Sequence, residues 1–221
     1  MDIKEHSQKR AIPHVPANEL FWLFLIGSIV GFVLEGIWSV VRLGVWENHS
    51  ATVWGPFCIV YGLGMALIYS AANLLKDKSA GVQFLLYGLI GSAIEFFASI
   101  FQEVFFGATS WNYNDHFLNL GGRVSLQMTL IWGTLGVLFT RFVFPYVAML
   151  LQKMQGRGWR LACICLSVYM GTNLLVTAAA IMRWRERMED IPASNPAEEI
   201  LDNVYDNEKM ASIFSNMEFL E

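Results

Sequence analysis

The chain has 221 residues, of which 55% are hydrophobic, 14% aromatic and only 15% charged, against roughly 25% charged in soluble domains. That composition excludes an ordinary water-soluble domain and indicates a protein of the bilayer. The formal charge of -4 is unevenly spread: residues 186–221 hold ten acids against Arg187 and Lys209, whereas residues 1–185 carry thirteen basic and nine acidic side chains. Nothing in this balance points to nucleic acid as a partner.

Residues 1–18 read as a polar cytoplasmic segment. Its two prolines, and the length of the apolar run that follows, argue against a cleavable signal peptide. Apolar runs at Leu20 to Val41, Thr52 to Leu75, Phe84 to Phe106, Val124 to Phe144 and Leu161 to Met182 follow. Each is long enough, as a helix, to cross a hydrocarbon core of about 30 Å. The expectation is an all-α polytopic membrane bundle of about five spans, occupying residues 19–185, with an acidic tail over 186–221. In the tail, Ile200, Leu201, Val204, Tyr205, Ile213, Phe214 and Met217 recur at helical spacing. This predicts one or two short amphipathic helices, docked on the protein's own surface in preference to a partner. Cys58, Cys163 and Cys165 lie in or beside apolar spans and suggest small buried hydrophobes, with neither a disulfide nor a metal site.

Lys4, Lys9 and Arg10 precede the first span, Lys76 and Lys78 separate the second and third, and Lys153, Arg157 and Arg160 separate the fourth and fifth. The positive-inside rule makes these segments cytoplasmic, which places the chain in a plasma membrane, bacterial by expectation, with its N-terminus inside. Arg183, Arg185 and Arg187 after the fifth span run against that orientation. An alternative count would make Pro145 to Leu151 a re-entrant or interfacial piece.

The first span reads GFVLEGIW at 31–38 and the third GSAIEFFA at 91–98. Gly31 and Glu35 share a helix face, as do Gly91 and Glu95, and Arg42 and Gln102 extend the two polar stripes. VWGPF at 53–57 and IWGTL at 131–135 suggest that the following spans correspond too, giving a two-fold repeat of helix pairs. A charge at the bilayer centre costs at least about 2.5 to 3.5 kcal/mol, so intramembrane carboxylates normally face a bundle interior or an aqueous cavity. Glu35 and Glu95 are therefore expected to face one polar cavity across the repeat, with Gly31 and Gly91 leaving room beside them. Two close carboxylates repel, so one holds a proton unless a cation intervenes. Arg123, which starts the fourth span after Gly121 and Gly122, is the best counter-charge. The competing role for both acids is hydrogen bonding between helices.

Two loops on the opposite side from the lysines complete the candidate site. SWNYNDHFLNLGGR at 110–123 suggests an interfacial cap in which Asp115, His116 and Asn119 contact a ligand over the cavity. His116 beside Asp115 is too sparse a set for a metal. WGPFCIVYGLG at 54–64 opens the second span with Pro56 in a first-turn position, and Tyr61 can bring its hydroxyl to the cavity.

GPFCIVYGLG, the Gly-x-x-Ile-Glu segment with Gln102-Glu103 downstream, and WNYNDHFLNLGGRVSL together resemble the CmpB-type family of ABC-transporter permeases. The resemblance covers Phe21 to Pro145, with a departure at Val60. It implies a polytopic transport component but carries over no substrate. No GxxxxGK[ST] phosphate loop occurs in this chain, so any ATP dependence needs a separate ATPase subunit.

The function expected is that of a permease or solute-binding transport component, ahead of an enzyme. Its binding residues would be Glu35, Tyr61, Glu95, Gln102, Asp115, His116, Asn119 and Arg123. No catalytic residue and no cofactor are assigned. Expected partners are membrane lipid, a small polar solute or amphiphile, and the ATPase subunit, with a homo-oligomer left open. The alternatives are a membrane-embedded enzyme acting on a lipid, and a structural or regulatory protein recruiting a partner through its tail.

Overall fold

The computed structural model describes residues 15–220; Lys4, Lys9 and Arg10 lie outside the described residues. Helices α1 (Ala17–Leu43), α2 (Ile59–Leu75) and α3 (Ala80–Phe106) precede a long loop that contains the two-residue strand β1 (Ala108–Thr109). Helix α4 (Leu126–Leu138) continues through a π-turn at Phe139–Val143 into α5 (Phe144–Lys153). The long helix α6 (Arg157–Met188) then leads to α7 (Pro196–Val204), α8 (Asn207–Ile213) and the strand β2 (Glu218–Phe219). The protein is all-α, as its apolar runs require.

Local chemistry sets the helix ends. Ser79 and Ser125 accept hydrogen bonds from the amides of Val82 and Met128 and so cap α3 and α4. Gly44 and Gly107 end α1 and α3 in the left-handed conformation, at φ 75 and 60°. Pro145 does not break its helix, because it falls in the first turn after the π segment. Residues 145–151 thus continue the helix begun at Leu126.

Among the described residues, four helices are long and apolar enough to cross a membrane: Ala17–Leu43, Ala80–Phe106, Leu126–Lys153 and Arg157–Met188. The expected second span is shorter, a helix of 17 residues, about 26 Å. Its first residues are drawn away from helix by α6. The amide of Val53 donates to Thr177 Oγ1 at 3.0 Å, and that of Trp54 to Asn173 Oδ1 at 3.1 Å. Pro56 consequently stands two residues before the N-cap, Cys58, and not in the first turn.

The tightest packing is within the pairs α1 with α2 and α3 with α4. The two pairs make matched contacts. A Cβ on Gly62 would lie 2.6 Å from the Phe24 carbonyl oxygen, and one on Gly133 would lie 2.7 Å from that of Phe84. Gly31 backs onto the Tyr61 side chain as Gly91 backs onto Trp132. An offset of 60 residues relates Phe24, Gly31 and Glu35 to Phe84, Gly91 and Glu95. In the second helix of each pair, however, Tyr61-Gly62 matches Trp132-Gly133. The expected match of Trp54-Gly55 is displaced by two turns, because Trp54 lies outside α2.

The bundle has two ends. At one, Gln155 donates to Glu19 at 2.9 Å, and Trp22, Leu23, Tyr69 and Leu151 share a core. Lys153, Arg157 and Arg160 flank this end. The other end holds the 44–58 and 107–125 loops and the tail. There Trp184, Tyr205, Met210 and Phe214 form a separate core, so the acidic tail docks on the chain's own surface. The late arginines are matched by its acids: Arg183 bonds Asp202 at 2.8 Å and Glu186 at 2.7 Å, Arg187 also pairs with Asp202, and Arg185 pairs with Glu189.

Candidate functional site

Both acids belong to the half of the bundle nearest the tail. Cys58, the N-cap of α2, donates its amide to the Ser28 carbonyl at 2.9 Å, so Glu35, about 10 Å further along α1, lies beyond the start of α2, where the Tyr61 hydroxyl reaches it. The Ser92 and Thr129 hydroxyls are 2.7 Å apart, which brings Glu95, three residues on, level with the start of α4. Glu95 therefore lies beside the positive N-terminal end of its partner helix, where a carboxylate is favoured.

Glu35 is half-buried and accepts a hydrogen bond of 2.6 Å from the Tyr61 hydroxyl. The Tyr61 ring tilts against Trp132, with centroids 5.4 Å apart, and Trp132 packs on Gly91, one turn before Glu95. Glu95 is 5% exposed. Its neighbours include the Trp132 indole, and Glu35 lies within electrostatic range. Yet Glu95 Oε2 and Trp132 Nε1 are both buried without a hydrogen-bond partner. Native structures leave few such groups, and each one calls for an explanation.

The loop between α3 and α4 lies against this cluster. Tyr113 is half-buried, and burial first, then the nearby charges of Glu95 and Glu35, raise its phenol above the usual value. The loop holds itself in shape. Trp111 Nε1 donates to the Arg123 carbonyl at 3.0 Å, and the Tyr113 amide donates to the Gly122 carbonyl at 2.8 Å.

The other expected site residues divide clearly. Asn119 stabilises the loop, donating to the carbonyls of Asn114 and His116 while its oxygen accepts from the Gly122 amide. Gln102 accepts from the Ser110 amide at 3.0 Å and so fastens the loop to α3. Asp115 is exposed, and the His116 ring lies against Tyr113 with Nδ1 buried and unpartnered. Arg123 forms an ion pair with Glu103 and donates to Ser99 Oγ at 3.1 Å. Its charge is thus met further along α3, one to two turns past Glu95, and not by either carboxylate of the cluster. Among the described residues no group of three or more His, Cys, Asp or Glu side chains is placed to hold a metal.

Sequence reasoning missed Trp132 and Tyr113. Trp132 carried the repeat motif, and the pairing of a helix glycine with an aromatic residue on the next helix was the signal that could have placed it beside Glu95. Tyr113 had no such signal, since the loop's course decides where it lies.

A family model described as Putative ABC-transporter type IV matches residues 22–178, which takes in most of α6 as well as the two helix pairs. No curated protein and no solved structure matches the chain. With its long apolar helices and a match over most of its length, the chain is an integral membrane protein that belongs to this ABC-transporter family.

Proposed function

We propose that the chain is the permease or solute-binding component of a transport system and that Glu35, Tyr61 and Glu95 form its polar intramembrane site. The observation that carries this reading is the partnerless oxygen of Glu95. A carboxyl group that only tied helices together would be bonded within them, as a buried polar group left unpaired costs about 1 to 3 kcal/mol. Glu35 lies within electrostatic range and is bonded through Tyr61, so a solute or ion arriving here meets two acids and two aromatic faces. Tyr113 and the 110–123 loop cover the site, with Asp115 and His116 at its margin. The N-terminus is cytoplasmic, because Lys76, Lys78, Lys153, Arg157 and Arg160 gather at that end. The site then opens on the far side. An ATPase, where one is used, is a separate subunit.

The test is uptake of a panel of small polar and amphiphilic solutes by vesicles containing the chain. Glu95→Gln is expected to abolish uptake of the transported solute while the protein stays folded in the membrane. Undiminished uptake by that variant would end this reading.

A further inference from the structure

The C-terminal tail does more than cover a helix end. It is fixed at three separate places, and two of them follow the C-terminal ends of the acid-bearing helices α1 and α3. The first anchor is on α6. Arg183 is 3% exposed and bonds Asp202 through Nε and Nη2, and Arg187 binds Asp202 together with the Tyr205 carbonyl. The second is the loop between α1 and α2. Trp54 Nε1 donates to the Tyr205 hydroxyl at 2.7 Å, His49 bridges Phe214 as an antiparallel pair, and Ser215 Oγ donates to the Asn48 carbonyl at 2.9 Å. The third is the end of α3. There β2 pairs with β1, Leu220 donates its amide to the Gly107 carbonyl at 2.8 Å, and the Phe219 ring stands edge-on to Trp184.

Between the second anchor and α1 is a cavity of about 230 Å³, lined by Phe32, Asn48, Ser50, Val53, Pro56 and Ile213. Phe32 precedes Glu35 by less than one turn of α1, whereas Ile213 belongs to the tail helix α8. One wall of this cavity is therefore made by the tail, whose only covalent link to the bundle is through α6.

We infer that the tail is a strap that closes this approach to the Glu35–Glu95 site, and that its release from Asp202 to Leu220 opens the 48–56 loop and the cavity together. The inference rests on the proposed transport reading for what the cavity leads to. The physical logic is that of local unfolding. The segment is held by side-chain bonds, by two-residue strand pairing and by the burial of Tyr205, Met210 and Phe214 against α6 and the end of α3. This is a smaller interface than the one within each helix pair, and the segment therefore opens at a lower free energy than the helices beneath it. Its anchors connect α6, the first repeat and the second repeat, so their loss frees both halves at once. Asp202 of the strap, paired with both Arg183 and Arg187, also explains how it can lie at an end rich in arginine.

The experiment uses the full chain with its three cysteines replaced by serine and with Val53→Cys as a reporter on the cavity wall. The rate of alkylation by a membrane-impermeant maleimide is compared with and without a second change, either Asp202→Asn or Phe219→Asp, which act on different anchors. Proteolysis of the tail scores its release in the same samples. Release is expected to accelerate both tail cleavage and alkylation by about tenfold or more, equivalent to about 1.4 kcal/mol of opening free energy. A tail that is cleaved faster while alkylation is unchanged overturns the proposal. So does a tail that stays resistant in both variants, for its anchors then do not hold it.

Hydrogen exchange in the unaltered chain supplies a check that needs no variant. Peptides covering 47–52 and 205–220 should exchange together, and continued protection of the first while the second exchanges also overturns the strap. These measurements do not depend on transport. Failure of the Glu95→Gln uptake test would leave the strap standing, and failure of the strap would leave the carboxylate site standing.

Discussion

The two helix pairs share one packing plan and differ in the chemistry placed on it. In the first, Gly31 receives a tyrosine whose hydroxyl bonds Glu35 at 2.6 Å. In the second, Gly91 receives a tryptophan whose indole nitrogen is buried and unpartnered, beside an acid with a partnerless oxygen. The same backbone approach thus produces a satisfied acid in one half and an unsatisfied one in the other. Duplicated geometry preserves where a side chain stands, while one substitution, Tyr61 against Trp132, decides whether the acid receives a well-formed hydrogen bond.

That comparison breaks most severely at the glycines. Gly31→Leu and Gly91→Leu should each cost about 3 kcal/mol or more by overpacking against Tyr61 and Trp132, read as loss of folded protein on heating in detergent. A large loss at one position and none at the other would show that the pairs are not equivalent. The comparison is sharpened by the acids themselves. Tyr61→Phe should destabilise by about 1 to 2 kcal/mol, since it removes the donor from Glu35. Glu95→Leu should be neutral or stabilising by about 1 kcal/mol, because a buried oxygen with no well-formed hydrogen bond is removed. Equal losses in those two variants, measured by thermal unfolding, would mean that Glu95 is held as firmly as Glu35.

Smaller effects concern the tail, which has no counterpart in the first pair. The bonds from Arg183 first, then Arg187, hold the Asp202 carboxyl down at about 2 from an ordinary 3.8. A carboxylate depressed on docking stabilises the docked state fully above its undocked value, and the contribution is lost as pH falls through its docked value. The tail should therefore stay bound down to about pH 4 and loosen between about 4 and 2, followed by the fluorescence of Trp184 or by hydrogen exchange of 200–220. Asp202→Asn should abolish that acid step. Asn195 caps α7 by accepting from the amides of Ala197 and Glu198. Asn195→Ala should cost about 1 kcal/mol or less, visible as faster exchange within α7 alone.

The sequence by itself determined the medium, the class and the matching faces of the first and third apolar runs. Long apolar runs cannot be paired with water, and a helix satisfies its own backbone, so helices in a bilayer follow from composition. Gly31, Glu35, Gly91 and Glu95 recur at one spacing, which fixes faces on helices without any knowledge of neighbours. The amphipathic spacing of Leu201, Tyr205 and Phe214 likewise announced short tail helices with a buried side.

Only the tertiary structure decided what each polar group meets. Arg123 could have answered either acid, but its loop carries it to Glu103 and Ser99. Thr52 to Cys58 is apolar enough to be membrane helix, yet Asn173 and Thr177, more than a hundred residues away, take its amides and hold it outside α2. Trp132 and Tyr113 meet the acids for the same reason. Hydrogen bonds and ring contacts act over a few ångströms between residues distant in the chain, and local spacing carries no record of which distant partner arrives.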